Sequence, residues 1–106
     1  MAAGGDMSHL IQHAQRLQRE MKQVQEELKK RIVSGEAGGG QVKVFFNGQQ
    51  EALKIEIDPQ VVDPADLGLL EDLLLIAMKS GLEKSKTLSQ EEMGRLTGGV
   101  NIPGLF

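Results

Sequence analysis

The stretch GEAGGGQVKVFFNGQQEALKIEI, residues 35–57, decides the fold. Val42, Val44 and Phe46 alternate with Lys43 and Phe45, and Leu53, Ile55 and Ile57 alternate with Lys54 and Glu56. That period of two places every second side chain on one face of a strand. Between the two runs stands Asn47-Gly48, suited to a type I′ hairpin turn because both residues tolerate positive φ. IVSGEA, residues 32–37, reads as a preceding strand joined through Gly38, Gly39 and Gly40. The expectation is a three-stranded antiparallel meander over residues 32–57 with one apolar face.

The glycine run raises the question of a phosphate site, and its context excludes one. A Walker A loop needs a Lys-Ser/Thr pair after its last glycine and a helix beyond, whereas Gly40 is followed by Gln41, Val42 and a strand. A dinucleotide fingerprint fails as well, since no helix N-terminus follows to receive a pyrophosphate. The run reads as a turn in which glycine supplies backbone angles closed to other residues.

On the N-terminal side, Met7, Leu10, Ala14, Leu17, Met21, Val24 and Leu28 recur at alternating steps of three and four, the seam of a heptad helix. No proline or glycine interrupts residues 7–31, which read as one helix about 37 Å long, with Asp6 or Ser8 available as its cap. Arg16, Arg19, Lys22, Lys29 and Lys30 fall opposite the seam, giving one apolar and one mainly basic face. On the C-terminal side, Asp63-Pro64 reads as a cap with proline in the first turn, and Gly98-Gly99 as a stop. The second helix is expected over residues 65–96, with Leu67, Leu70, Leu73, Leu74, Ala77 and Met78 turned to the sheet. Beyond Gly81 it becomes more polar, so only its first half looks fully packed. Residues 97–106 form a short tail whose Leu105 and Phe106 could tuck onto the body. The fold class is α+β in a single domain, residues 1–106.

Composition narrows the chemistry. The 106 residues contain no Cys, Trp or Tyr and three Phe, so there is no disulfide framework, no thiolate chemistry and little with which to stack bases. His9 and His13 have the spacing of a metal pair, but HLIQH lacks the glutamate of a zinc-protease motif and no third histidine exists. Asp63, Asp66, Glu71 and Asp72 are accounted for by capping and the helix dipole rather than acid–base work. The start, MAAGGDMSHL, lacks the charged and long apolar regions expected of a signal peptide, and the apolar run LGLLEDLLLIAM is too short to span a membrane. The expectation is a non-enzyme with no cofactor, metal, membrane or small-molecule substrate. Net charge is −3 but unevenly distributed, with a basic first helix and an acidic stretch from Glu51 to Asp72.

Four blocks together, GEAGGGQVKV, NG, IDPQVVDPADLGLLEDLL and MGRLTGGVNIPGLF, resemble the YbaB/EbfC family of bacterial nucleoid-associated DNA-binding proteins, in order and over nearly the whole chain. The resemblance implies a tweezer-like homodimer that binds double-stranded DNA in the cytoplasm, at the nucleoid, through projecting helices. It places DNA contacts on the first and last helices, and hence on Arg16, Arg19, Lys22, Lys29, Lys30, Lys84, Lys86 and Arg95. Little or modest sequence preference is expected. The alternative is a protein-interaction module whose heptad helix docks a polypeptide or ribosomal partner.

Overall fold

The structure, a computed structural model, describes residues 2–96 and the side chains of residues 7–96. Helix α1 (Ala2–Leu28) leads into strands β1 (Ile32–Ala37), β2 (Val42–Asn47) and β3 (Ala52–Ile57), then a 3-10 turn at Pro59–Val61 and helix α2 (Leu67–Leu96). The strands form one antiparallel sheet in sequence order. Its register pairs Gly35 with Val44 and Val44 with Ile55, so alternation puts Val33, Gly35, Ala37, Val42, Val44, Phe46, Ile55 and Ile57 on one face. The opposite face carries Glu36, Lys43, Phe45, Lys54 and Glu56, with ion pairs Lys43–Glu36 at 3.8 Å and Lys54–Glu56 at 3.0 Å.

Helix α2 covers this apolar face over β1 and β2 only. The core consists of Ala37, Val42, Val44, Phe46, Val61 and Ala77, with Leu70, Leu73, Leu74 and Leu82 packed against it. The approach is close because the touching residues are small. A Cβ on Gly35 would lie 2.0 Å from the Ala77 carbonyl oxygen and 2.2 Å from the Gly81 nitrogen. Seated so far to one side, α2 leaves β3 uncovered: Leu53 and Ile55 are half exposed, and every residue of the strand is open to solvent.

Four expectations about the helices change. The first helix ends at Leu28, not residue 31, because the Leu28 carbonyl accepts from the amides of Gly48 (2.8 Å) and Arg31 (3.1 Å) and the chain must then turn into β1. It begins at Ala2, so Asp6 and Ser8 stand within it rather than capping it. The second helix begins at Leu67, two residues late. Asp63 and Pro64 belong to a turn in which the Asp63 side chain accepts from Ala65, while Asp66 accepts from the Leu69 amide and caps the helix. Nor is burial on α2 that of the expected first-half face, since Leu67 and Met78 are exposed and the buried residues are Ala77, Gly81, Ser85 and Met93.

The glycine run is a turn, with φ of 62°, 66° and 93° at Gly38, Gly39 and Gly40. The β2–β3 hairpin forms, but not through a type I′ Asn-Gly pair, because the positive φ falls on Gln50 at 63°. Gly48 is there for contact instead: a Cβ on it would meet the Leu28 carbonyl oxygen at 2.7 Å. The expected tail over residues 97–106, with its Gly98-Gly99 stop and Leu105 and Phe106, lies outside the described residues.

Candidate nucleic-acid interface

Helix α1 is an arm. The molecule measures 78 × 21 × 16 Å, and two helices of 27 and 30 residues, about 40 and 45 Å long, fit that length only if they overlap little and lie nearly end to end. Only Leu28 of the described α1 side chains is fully buried; Leu17, Met21, Val24 and Gln25 are half buried, and residues 7–16 are exposed throughout. The arm meets α2 near its base, where Arg31 and Glu92 approach to 3.9 Å.

Along the free length stand Arg16, Arg19 and Lys22, all exposed, at intervals of three residues. Each step advances about 4.5 Å and rotates about 60°, so the three charges occupy one side, away from the seam. The Arg16 Nη2 donates to His13 Nδ1 at 3.3 Å. Between Met7 and Lys22 the only acidic residue is Glu20, giving this part of the arm a formal charge of +2.

The other expected residues are distributed differently. Lys29 and Lys30 are exposed but sit in the turn after α1, at the arm's root. Arg95 lies on the last turn of α2 and is held by Glu92 at 3.2 Å. That carboxylate also pairs Arg31, a cation at the root that the helical pattern did not single out because, counted on from Leu28, it falls on the line of the seam and not opposite it. Lys84 is turned back to the body, its Nζ donating to the Ser34 carbonyl at 3.1 Å. Lys86 is exposed beside the hairpin, lining a hollow with Gln50, Ser89 and Gln90. The structure therefore groups Arg16, Arg19 and Lys22 along the arm and Lys29, Lys30, Arg31 and Arg95 at or near its root, with Lys84 apart.

Apart from Glu51 on the hairpin, the acidic stretch lies toward the other end. β3 runs from the hairpin beside the arm's root to Ile57, which pairs with Val42 at the far edge of the sheet. Asp58, Asp63 and Asp66 follow there, with Glu71 and Asp72 on the opening turns of α2. A strand of six residues is about 20 Å long, so a comparable distance separates the acidic end from the arm's root. The free length of the arm therefore stands apart from most of the chain's negative charge, a separation that the net charge alone hides.

Among the described residues, no three His, Cys, Asp or Glu side chains gather closely enough to hold a metal ion, and no helix is long and apolar enough to cross a membrane.

Comparison with known proteins bears directly on this geometry. The model of the YbaB/EbfC DNA-binding family matches residues 3–100. A nucleoid-associated protein of Pelotomaculum thermopropionicum is 47% identical over 103 residues, covering 97% of this chain and 98% of the relative. A nucleoid-associated protein of Thermoanaerobacter pseudethanolicus is 45% identical over the full length of both chains. The crystal structure of an uncharacterized protein from Helicobacter pylori superposes with a TM-score of 0.77 at 25% identity, covering 86% of this chain and 96% of that one.

Proposed function

The chain belongs to the YbaB/EbfC DNA-binding family, and on that premise we propose that it binds double-stranded DNA as a homodimer, at the nucleoid of the bacterial cytoplasm, without catalysing a reaction. The observation that carries the proposal is the arm, a helix standing clear of the body with Arg16, Arg19 and Lys22 exposed on one side. With side chains such a helix is about 10–12 Å wide, comparable to the roughly 12 Å of a major groove. Affinity comes chiefly from neutralising phosphates and releasing counterions, a mode with little sequence preference. Arg16, Arg19 and Lys22 make the principal contacts. Lys29, Lys30, Lys86 and Arg95 contribute near the root, and Lys84 least, because its ammonium is occupied by Ser34.

Dimerisation is supported by what one chain leaves bare. Leu53, Ile55 and Ile57 on β3 and Leu67, Leu75, Ile76 and Met78 on α2 expose large apolar side chains, and β3 is an unpaired sheet edge. Such a combination invites a second copy. Two arms on one body give the tweezer-like arrangement, and tethering the second arm's binding to the first raises avidity by about 10²–10⁴. The nucleoid-associated names belong to the relatives; the proposal extends that location to this chain.

Light scattering together with retardation of random and defined duplexes across salt concentrations tests the proposal. A dimer mass is expected, with affinity falling steeply as salt rises and varying little with sequence. Ile55→Glu should halve the mass and weaken retardation by about 100-fold or more, since the two arms then bind independently. No retardation at low salt, with a polypeptide or ribosomal partner captured through Met7 and Leu10 of the seam instead, would replace DNA by protein docking.

A further inference from the structure

The hairpin between β2 and β3 grips both helices at the point where the arm leaves the body. Toward α1, the Gly48 amide donates to the Leu28 carbonyl at 2.8 Å, and the Gln49 Nε2 donates to the Gln25 carbonyl, also at 2.8 Å. Those two carbonyls belong to the last turns of the helix, where main-chain acceptors lack helical donors or can take a second one. Toward α2, the fully buried Ser85 hydroxyl donates to the Asn47 carbonyl at 2.5 Å and accepts from the Gln50 amide and the Gln50 Nε2, both at 3.1 Å. One donor and two acceptors exhaust what a serine hydroxyl can make. Asn47 holds the turn itself, its Oδ1 accepting from the amides of Gln49 (2.9 Å) and Glu51 (3.1 Å) while its Nδ2 donates to Glu51 at 2.8 Å.

We infer that this clamp sets the angle of the DNA-binding arm, with Gln49 as the positioning residue that fixes α1 and Ser85 as the one that ties the same turn to α2. The inference rests on the DNA-binding reading above and adds to it how the basic side is aimed. Leverage makes the angle matter. From Gln25 to Met7 the arm extends about 27 Å, so a tilt of about 10° at the root moves the tip by about 5 Å. That is close to the roughly 6 Å width of a minor groove. Among the described residues, Gln49 is the hairpin side chain that hydrogen-bonds α1, through Gln25, and it bonds none of the residues assigned to phosphate.

The two roles separate in measurement. A residue that touches phosphate changes the slope of affinity against salt, because counterions are released at each contact. A positioning residue leaves that slope in place, since all contacts still form in the bound state, and weakens affinity through the ordering that the free protein no longer provides. Gln49→Glu keeps length and shape but sets an acceptor against the Gln25 carbonyl. Gln49→Ala removes the reach altogether and is the second variant should the glutamate disturb folding.

The chain has no cysteine, so Q15C and D72C label only the arm and the body. Mixing doubly spin-labelled chains with an excess of unlabelled chain reports distances within one protomer, free of DNA. The expected result is a narrow arm-to-body distribution for the wild type and one at least twice as broad for both Gln49 variants. Duplex affinity should fall roughly tenfold, the effect of one lost hydrogen bond in each of two arms, with the salt slope unchanged. An unaltered distribution in both variants would overturn the clamp. A broadened distribution with unaltered affinity, or a slope reduced by about one unit per contact as for a phosphate ligand, would overturn the positioning role. A wild type that fails to retard duplex would overturn the DNA-binding reading, and this role with it. That result is distinguishable because it appears before any variant is compared.

Discussion

Helices α1 and α2 are nearly equal in length, 27 and 30 residues, and opposite in fate. α1 has the cleaner apolar seam, yet the first half of that seam is open: Met7 is 60% and Leu10 65% exposed. α2 mixes polar and apolar residues on every side, yet buries Ala77, Gly81, Ser85 and Met93 over a little more than half of its length. Apolar periodicity states how much a helix can bury. What it does bury depends on how close another element can come, and here small residues decide it, Gly35 and Gly81 letting α2 lie directly on β1.

The sharpest break of that contrast is at the close contact. Gly35→Ala places a Cβ against the Ala77 carbonyl and the Gly81 nitrogen, main-chain atoms that cannot swing aside. A loss beyond about 4 kcal/mol is expected, enough to leave little folded protein in a thermal melt monitored by circular dichroism. If Gly35→Ala melts near the wild type, α2 is not seated as described.

A smaller effect separates the arm's root from its length. Leu28 is 1% exposed at the junction, so Leu28→Ala should destabilise by about 2–5 kcal/mol in urea unfolding. Arg19→Ala, on the free arm, should stay within about 0.5 kcal/mol. Equal losses would mean that the arm is packed along its whole length.

The smallest effect concerns Glu92, which occupies both Arg31 and Arg95. Glu92→Gln should leave stability within about 1 kcal/mol, as for other partly exposed ion pairs. By freeing two cations per chain it should strengthen duplex binding. Weaker binding would show that Glu92 holds the two arginines in a productive position.

Much of this molecule was legible in its sequence, and the failures have physical causes. The meander was legible because Val42, Val44 and Phe46 alternate and the three glycines can take positive φ. The helices were legible by periodicity, but their ends were not. The Leu28 terminus depends on a hydrogen bond from Gly48, twenty residues away, and the start of α2 was misplaced because Asp63-Pro64 can cap either a helix or a turn. The hairpin kept its position and changed its turn type, since Gly48 answers to a tertiary contact. Ser85 gave no signal, because an isolated serine in a polar half-helix reads as surface until its partners on the hairpin are known. Among the candidate site residues, charge and spacing picked out Arg16, Arg19 and Lys22, which the structure leaves exposed along the arm; the bond of Lys84 to Ser34 spans fifty residues and gave no local signal, whereas Arg95 and Glu92 are an i, i+3 pair that helical spacing does offer.

The central claim, that the exposed side of α1 carries the phosphate contacts, is tested most directly by replacing Arg16, Arg19 and Lys22 together with glutamine and measuring duplex affinity across salt concentrations. A dimer losing six contacts should show a log K against log salt slope flatter by about 5, with its mass and melting temperature unchanged. Asp58, Asp63 and Asp66 changed together to asparagine, at the opposite end of the sheet, should leave the slope where it was. An arm variant that keeps the wild-type affinity and slope would contradict the account and remove α1 from the DNA interface.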